Sequence, residues 1–262
     1  MNIFEAIFLG LVQGITEFLP VSSSGHLTLA SLLLGVNPDQ IMSFAAMLHM
    51  GTLLAVVVIM RRELLALLRQ PFGRLTWMLL IGTLPAIAAA LLFGDFIDAA
   101  FGGSYLAPSF LLTAVILMAN LFIKPGTRPM SGIRWLDALI TGGAQAVAVL
   151  PGVSRSGSTM TALLARGVER EAAIRFSFLL SIPAILGGFA LDMLSLAKSG
   201  TGFGTLPIAA IVAGVATAAL SGFLVMRFML RRLNRKGMLY CAAYVACLGV
   251  FLLVDKAWLH LL

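Results

Sequence analysis

Two polar motifs interrupt a chain that is otherwise strongly apolar. They span residues 13–26 and 145–159, and a glutamine opens each of them, followed nine residues later by Ser-x-Ser-Gly. The matched positions are all 132 residues apart. Ionisable side chains lie inside the motifs at Glu17, His26 and Arg155. A charge among membrane-type apolar residues is costly, so a functional role is the default interpretation of all three.

Arg155 predicts an anion site in the second motif. A planar guanidinium is suited to phosphate when hydroxyl groups and the backbone N–H groups of a helix start surround it. An arginine that snorkels to the membrane surface is the alternative, but Arg155 is more than ten residues from either flanking basic cluster. The candidate phosphate-binding residues around it are Gly152, Ser154, Ser156 and Thr159.

Glu17 predicts a cation site in the first motif. It follows Gln13 by four residues, which places the carboxylate and the amide oxygen on one face of a helix. A hard divalent cation, Mg2+ or Ca2+, prefers such oxygen ligands and completes its shell with water and phosphate oxygens. The alternative is a protonated structural glutamic acid that is hydrogen-bonded in the protein interior.

His26 follows the serine cluster of the first motif and has the chemistry of a nucleophile or a general acid/base. A structural histidine that donates to a backbone carbonyl is the alternative. Ser23 is the best placed serine to act as a nucleophile or phosphate ligand; Ser22 and Ser24 are further candidate ligands, although a serine in a helix break is more often a cap. His49, in the middle of the first predicted span, either edges the site or is a satisfied histidine between helices.

Composition places these motifs in a membrane. Hydrophobic residues make up 60% of the 262 residues and charged residues 11%, whereas about 25% of a soluble domain is charged. A soluble protein of this length cannot bury so much apolar surface, so the sequence predicts an all-α polytopic membrane protein. The net charge of +7 does not indicate a nucleic-acid partner, because the basic residues cluster at the ends of predicted spans.

Six stretches are long enough to cross a bilayer as transmembrane helices. They cover residues 41–60, 76–94, 105–123, 172–191, 207–227 and 238–256. Two more apolar regions, 3–36 and 135–167, each break at a proline followed by a Ser/Gly cluster, and the pieces on either side are too short to span. Short helix, polar break and short helix is the pattern of a re-entrant hairpin that lines a protein cavity.

The basic residues support this layout. If each broken region returns to the side from which it entered, 15 of the 18 lysines and arginines fall on one side of the membrane. Lys198 and Lys256 fall on the other side, and Arg155 is buried. The positive-inside rule then makes the common side cytoplasmic and puts both termini outside.

The same layout predicts an inverted-topology repeat within a single membrane domain, residues 1–262. The repeat halves cover approximately 1–123 and 135–256, and the two hairpins enter from opposite sides. Phe44 and Phe176 continue the 132-residue offset into the spans that follow. In such repeats the broken helices meet near the midplane and form the site.

Both motifs resemble the signature sequences of the bacterial undecaprenyl-diphosphate phosphatase family, also called the bacitracin-resistance family. The resemblance is carried by EFLPVSSSGH at 17–26, PGVSRSGST at 151–159 and FSFLLSIP at 176–183, and it covers essentially the whole chain. It implies a phosphoric anhydride hydrolase that depends on Mg2+ or Ca2+ and removes the terminal phosphate of C55 undecaprenyl diphosphate. The product is the lipid carrier for cell-wall synthesis, and bacitracin resistance follows from its recycling.

The resemblance also implies a multi-pass protein of the bacterial inner membrane, a site open to the periplasm or outside, and a homodimer. By position it carries functional roles onto an acidic motif at Gln13 and Glu17, a Ser/His motif at Ser22, Ser23 and His26, and an arginine motif at Ser154, Arg155, Ser156 and Thr159. Two positions depart from the family pattern. Gln13 stands where many relatives have glutamate, and Ala45 stands where some have an acidic residue, so neither supplies a second carboxylate.

A lipid-phosphate flippase or transporter is the competing function, because inverted repeats with broken helices are also a transport architecture. Such a protein needs anion-binding groups but no acid/base pair, so Glu17, His26 and the serines favour an enzyme. In that enzyme Arg155 and a metal neutralise the phosphoryl group, and His26 or Ser23 attacks it or activates water. A covalent phosphoenzyme and direct attack by water are both compatible with these residues.

Overall fold

The computed structural model of the protein describes residues 1–36, 38–124, 126–199 and 206–259. Within these ranges the chain folds into twelve α-helices and no strand. The helices are α1 (Ile3–Phe18), α2 (Ser23–Leu34), α3 (Pro38–Ile59), α4 (Arg61–Arg69), α5 (Arg74–Leu92), α6 (Gly94–Ala100), α7 (Leu106–Met118), α8 (Trp135–Val147), α9 (Arg155–Ala165), α10 (Arg170–Ser199), α11 (Ile208–Arg232) and α12 (Arg235–Val254). Short helical turns cover Ala119–Leu121, Met130–Gly132 and Asp255–Leu259.

Four of the described helices, α5, α10, α11 and α12, are long and apolar enough to cross a membrane. A fifth span is obtained if α3 and α4 are counted together, although the axes of these two helices are bent by 79° at the break between them. The bend falls at Arg61 and Arg62, whose charges favour the aqueous side of the interface. The prediction of an all-α, multi-pass membrane protein is confirmed, whereas the count of six spans stays a prediction.

The remaining predicted span, 105–123, is a shorter helix than its apolar sequence suggests. The α-helix stops at Met118 and continues only as a 3-10 turn, Ala119–Leu121. Asn120 lies in this turn, and its side-chain amide donates to the carbonyl of Leu117 at 3.0 Å and to the hydroxyl of Thr161 at 2.8 Å. A buried polar side chain that needs these partners therefore redirects the chain before the stretch is complete.

The first hairpin consists of α1 and α2, joined by a break at residues 19–22. Pro20 follows the end of α1 by two residues, where a proline cannot continue the helix. The side chain of Ser22 caps α2 by accepting from the N–H of Gly25 at 3.4 Å. Ser22 itself has a φ of 72°, which is an unusual conformation for a residue other than glycine. The predicted break is therefore confirmed, and its backbone is strained where the second helix starts.

The second hairpin consists of α8 and α9, joined by a break at residues 148–154. Gly152 has a φ of 92°, which only glycine adopts at little cost. Thr113 of α7 braces this backbone, because its hydroxyl donates to the carbonyl of Gly152 at 2.8 Å and accepts from the N–H of Ser154 at 2.9 Å. Backbone groups that leave a helix at membrane depth need such partners.

An ion-pair cluster joins the two ends of the second hairpin. Asp137, in the first turn of α8, accepts from the Nε of Arg166 just beyond α9 at 2.8 Å and from Arg128 at 2.7 Å. The two ends of the hairpin thus lie close together, as the predicted re-entrant hairpin requires. The hydrogen bond with Asp137 raises the pKa of the Arg128 guanidinium.

The breaks of the two hairpins touch each other. A Cβ atom at Gly25 would lie 2.8 Å from the Cα of Gly152, so this crossing requires glycine. The hydroxyl of Ser156 also donates to the carbonyl of Leu19 at 3.2 Å. Two segments that are far apart in sequence therefore meet where their helices are broken.

Each hairpin packs its first helix against a long helix of the other half of the chain. α1 lies against α11, and α8 lies against α5. A Cβ atom at Gly10 would come within 2.5 Å of the carbonyl oxygen of Gly214, and one at Gly142 within 2.6 Å of that of Gly82. These two glycine contacts are related by the same 132-residue offset as the motifs. Close backbone approach at small residues is a common way for membrane helices to pack.

Candidate active site

Glu17 is the centre of the polar cluster where the hairpins meet. It lies one residue before the end of α1 and is 6% exposed. One carboxylate oxygen forms an ion pair with the guanidinium of Arg155 at the start of α9. The pairing joins the acidic motif to the arginine motif across 138 positions of sequence. A buried carboxylate requires such a partner, because an uncompensated charge at this depth is expensive.

Ser23 is the second partner of the Glu17 carboxylate. Its hydroxyl donates to the Oε2 atom at 2.5 Å, from the first residue of α2. A hydroxyl held by a carboxylate that is itself oriented by other groups is the arrangement of a serine nucleophile and its base. The contact also ties the end of α1 to the start of α2 across the break.

Gln13 and His49 complete the surroundings of the same oxygen. The side-chain amide of Gln13 donates to Oε2 of Glu17 at 3.1 Å, one helical turn away on α1. His49 of α3 places its Nε2 atom 3.5 Å from Oε2. His49 thus contacts Glu17 across two helices, and both interpretations of this histidine are compatible with that contact.

Arg155 opens α9 and is 16% exposed in its side chain. Its position among the first residues of a helix adds backbone N–H groups that have no partner within that helix. Ser23 has the matching position at the start of α2, 132 residues earlier. The starts of α2 and α9 thus both point at Glu17, one with a hydroxyl and the other with a guanidinium. These two side chains and the backbone N–H groups at the two helix starts are suited to an anionic phosphate group.

His26 lies beside this cluster, with 9% of its surface exposed. Its Nδ1 atom is 2.6 Å from the carbonyl oxygen of Ser22. Its Nε2 atom is 2.8 Å from the hydroxyl of Tyr244 on α12. The expected donation to a backbone carbonyl is present, but a second partner from a distant helix accompanies it. Within the described residues, no hydrogen bond or ion pair joins the imidazole to Glu17 or Arg155.

The remaining predicted substrate-binding residues shape the two breaks. Ser22 caps α2, and Ser154 caps α9 by accepting from the N–H of Gly157 at 3.1 Å. The other four are Ser24, with its hydroxyl 3.4 Å from that of Ser22, Ser156 on the carbonyl of Leu19, Gly152 in its left-handed conformation, and Thr159, whose hydroxyl lies 2.6 Å from that of Ser177. All of them position the helix starts that carry Ser23 and Arg155.

The predicted metal ligands can be judged from their unused oxygen atoms. The side-chain Oε1 of Gln13 is buried and has no hydrogen-bond partner within the described part of the chain. It lies on the same helix face as Glu17, so the pair offers a free amide oxygen beside a carboxylate. Among the described residues, no three His, Cys, Asp or Glu side chains lie close enough together to hold a metal ion by themselves. The oxygens of Gln13 and Glu17 are the donor type that Mg2+ and Ca2+ prefer, with water and phosphate completing the shell.

Sequence reasoning missed one residue that contacts the site, Tyr244, and one that braces it, Thr113. It named His49 but left its role open. A hydroxyl or imidazole in the middle of an apolar stretch was the available signal, because such groups need a polar partner in a membrane. Ala45 brings no side-chain chemistry, but its carbonyl accepts from the Nδ1 of His49 at 2.8 Å.

Known proteins that resemble this chain over almost its whole length have been identified by sequence comparison. The sequence profile of a family described as "Bacitracin resistance protein BacA" matches residues 6–251. A protein named "Undecaprenyl-diphosphatase" from Carboxydothermus hydrogenoformans is 41% identical over 258 residues, which cover 98% of each chain. "Undecaprenyl-diphosphatase 3" from Bacillus cereus is 38% identical over 97% of each chain. A third, from Chromohalobacter salexigens, is 40% identical over 97% of this chain and 99% of the relative.

Proposed function

This chain belongs to the bacitracin resistance protein BacA family, and on that premise we propose that it hydrolyses undecaprenyl diphosphate to undecaprenyl phosphate and inorganic phosphate. The observation that carries the proposal is the cluster of Glu17, Ser23 and Arg155 at the meeting point of the two hairpins. It combines a serine, a base and a phosphate-binding cation at membrane depth. The biological role would be to recycle the lipid carrier for cell-wall synthesis, which would also confer bacitracin resistance.

Arg155 has the role of binding and orienting the diphosphate. Its guanidinium is the cation paired with Glu17, and a planar fork of N–H donors matches the oxygens of a phosphoryl group. As the terminal phosphoryl group is transferred, charge spreads over its oxygens, and fixed donors lower the barrier. The backbone N–H groups at the starts of α2 and α9 would add to this stabilisation.

Ser23 is the nucleophile in this proposal. Its hydroxyl proton passes to Glu17, its Oγ forms a bond to the terminal phosphorus, and the bond to the bridging oxygen breaks to release undecaprenyl phosphate. Water then attacks the phosphorus of the phosphoserine, the bond to Oγ breaks to release inorganic phosphate, and Glu17 returns the proton to Oγ. His26, three residues further along the same helix face, is the nearby group suited to accept the proton of that water.

A divalent cation, Mg2+ or Ca2+, would be held by Glu17 and by the free amide oxygen of Gln13. The unpartnered Oε1 atom of Gln13 supports this assignment. When bound, the ion would neutralise negative charge on the diphosphate. Ser23 and Gln13 both donate to Oε2 of Glu17, whereas Arg155 contacts Oε1, so Oε1 keeps a lone pair for a cation.

The basic residues support the orientation proposed here, and the family resemblance supports the membrane and the side to which the site opens. We assign the protein to the bacterial inner membrane, with both termini outside and the site open to the periplasm. After Cys241 and Cys247 are replaced, single cysteines at Asn2, Thr127 and Lys198 test this orientation. Membrane-impermeant reagents should label Asn2 and Lys198 from outside and Thr127 only from the cytoplasm. Labelling of Thr127 from outside would reverse the assignment.

A homodimer is proposed from the family resemblance, and intersubunit cross-linking in native membranes tests it. The flippase or transporter alternative is not favoured, because the relatives named above carry the name of a hydrolase.

The decisive experiment for the function is phosphate release from C55 undecaprenyl diphosphate by the purified protein in detergent. We expect turnover that requires Mg2+ or Ca2+ and is lost in Ser23→Ala. A burst of [32P]phosphoserine on rapid quenching would support the covalent route. Full turnover in Ser23→Ala would instead exclude Ser23 as the nucleophile, and the absence of phosphate release from the unmodified protein would contradict the function itself.

A further inference from the structure

Tyr244 contacts the one catalytic candidate that stands apart from the Glu17 cluster. It lies on α12, 218 positions from His26, and its hydroxyl oxygen is 2.8 Å from the Nε2 of the imidazole. The two rings are also stacked, with centroids 5.6 Å apart and planes 20° apart. Phe110 of α7 contacts the imidazole edge-on, with centroids 5.2 Å apart. Two hydrogen bonds and two ring contacts therefore fix the orientation of His26.

The hydrogen bonds also define which imidazole nitrogen carries the proton. The carbonyl oxygen of Ser22 can only accept, so the Nδ1 atom of His26, 2.6 Å away, must be the donor. In the neutral imidazole Nε2 then has a lone pair, and the phenol of Tyr244 donates to it. The only ring nitrogen that can take a proton in catalysis is thus Nε2, and it does so when the phenol of Tyr244 passes on its own proton or turns away.

His49 provides an internal comparison. Its Nδ1 also bonds to the carbonyl four residues earlier, that of Ala45, at 2.8 Å. Its Nε2, however, faces Glu17 at 3.5 Å. The local helix geometry thus orients Nδ1 in both histidines, whereas the partner of Nε2 is chosen by tertiary packing. For His26 that partner is Tyr244.

The depth of Tyr244 argues against a general role as an interfacial aromatic residue. It lies nine residues into α12, which corresponds to about 14 Å along the helix axis. This is roughly half of a hydrocarbon core about 30 Å thick. Tyrosines that anchor helices lie at the membrane surface, whereas a hydroxyl at mid-depth needs a polar partner inside the protein. His26 is that partner.

We propose that Tyr244 is a positioning residue for His26: its phenol holds Nε2 in the orientation and protonation form that lets His26 exchange a proton during hydrolysis. This inference rests on the proposed phosphatase function for its kinetic consequence, but not for its structural content. It also implies that Nε2 does not attack phosphorus directly while the phenol occupies it, which is consistent with Ser23 as the nucleophile.

Tyr244→Phe removes the hydroxyl and keeps the ring, so packing against His26 and the fold should be retained. We expect the turnover of C55 undecaprenyl diphosphate to fall about tenfold while KM changes less than about twofold, because a single hydrogen bond is lost. Tyr240→Phe is the matched control, since Tyr240 lies one turn earlier on α12 and is 72% exposed. It should leave both constants unchanged.

A double-mutant cycle separates positioning from general damage. If Tyr244 acts through His26, Tyr244→Phe should have no further effect in a His26→Ala background. An equal loss in both backgrounds would overturn the proposal, and so would wild-type turnover in Tyr244→Phe.

Nitrogen NMR of histidine-labelled protein provides a readout that does not depend on activity. The ring signals of His26 are assigned by their loss in His26→Ala. They should show protonation at Nδ1 in the wild type, and the Nε2 signal should shift in Tyr244→Phe but not in Tyr240→Phe. An unshifted Nε2 signal would refute the contact. If the wild type releases no phosphate, the proposed function fails, and the NMR arm still decides whether Tyr244 positions His26.

Discussion

The first hairpin carries a carboxylate and an imidazole, whereas the second carries valine and serine at the equivalent positions 132 residues later. The pairs are Glu17 and Val149, His26 and Ser158, Ser23 and Arg155, and Gln13 and Gln145. The scaffolds are alike: both second helices start with a serine cap, and both first helices pack through a glycine on a helix of the other half. The chemistry is not alike, because base, hydroxyl and imidazole come from one hairpin and the guanidinium from the other.

The two equivalent glutamines, Gln13 and Gln145, differ in their hydrogen bonds. Gln13 donates to the Glu17 carboxylate at 3.1 Å. In Gln145, both side-chain amide atoms are buried without a partner in the described part of the structure. The carboxylate that would accept from its Nε2 atom is replaced by Val149. Because of this asymmetry, the two hairpins form one polar cluster where they meet. The first hairpin contributes the negative charge of Glu17, and the second contributes the positive charge of Arg155.

The largest expected effect comes from removing the carboxylate of the first hairpin. Glu17→Gln should lower phosphate release by at least about a hundredfold, because the partner of Arg155 and Ser23 loses its charge. Turnover measured against Mg2+ concentration, with a chelator control, tests this. Gel filtration checks that the protein is folded. Full activity at the same metal requirement would assign both the base and the metal ligand elsewhere.

Replacing the cation of the second hairpin is the reciprocal test. Arg155→Lys keeps the charge but loses the planar fork, and turnover should fall about tenfold to a thousandfold. Arg166→Lys is the matched control, because Arg166 pairs with Asp137 at the far end of the same hairpin. Steady-state kinetics of both variants decide the matter, and near-normal turnover in Arg155→Lys would mean that bidentate phosphate contact is not its role.

The scaffold should respond equally in the two hairpins. Gly10→Ala and Gly142→Ala each place a Cβ atom against a carbonyl oxygen, so each should destabilise the protein by about 1–3 kcal/mol. Gly143→Ala, with open space around it, should be neutral or slightly stabilising. Thermal unfolding in detergent compares the three variants. A large loss for only one of the two contact glycines would show that the hairpins do not pack equivalently.

The smallest effect is expected from adding a carboxylate at the two glutamines. Gln13→Glu should keep turnover within about threefold and lower the Mg2+ concentration for half-maximal activity, because it adds charge to an oxygen-rich site. Gln145→Glu should leave the metal dependence unchanged. Metal titrations of both variants measure the difference, and an identical shift in each would argue for two equivalent cation sites.

Local sequence signals were sufficient for the hairpins. Pro20 ends α1, the Ser-x-Ser-Gly tetrads start α2 and α9, and their offset predicted that the broken helices are related. The predicted span at 105–123 was less successful. The hydrogen bond of Asn120 to Thr161 redirects the end of α7, and apolar composition cannot predict a contact with a residue so distant in sequence.

By itself, the sequence determined the membrane class, the two breaks and the residues Glu17, Ser23, His26 and Arg155, because hydropathy, helix breakers and buried charges are local properties of the chain. Only the tertiary structure decided which of these groups touch. The ion pair of Glu17 with Arg155, the approach of His49 and the hold of Tyr244 on His26 join helices that are distant in sequence. Helix periodicity describes one face of one helix, whereas these contacts depend on how the hairpins cross and on which side chains α3 and α12 bring to that crossing.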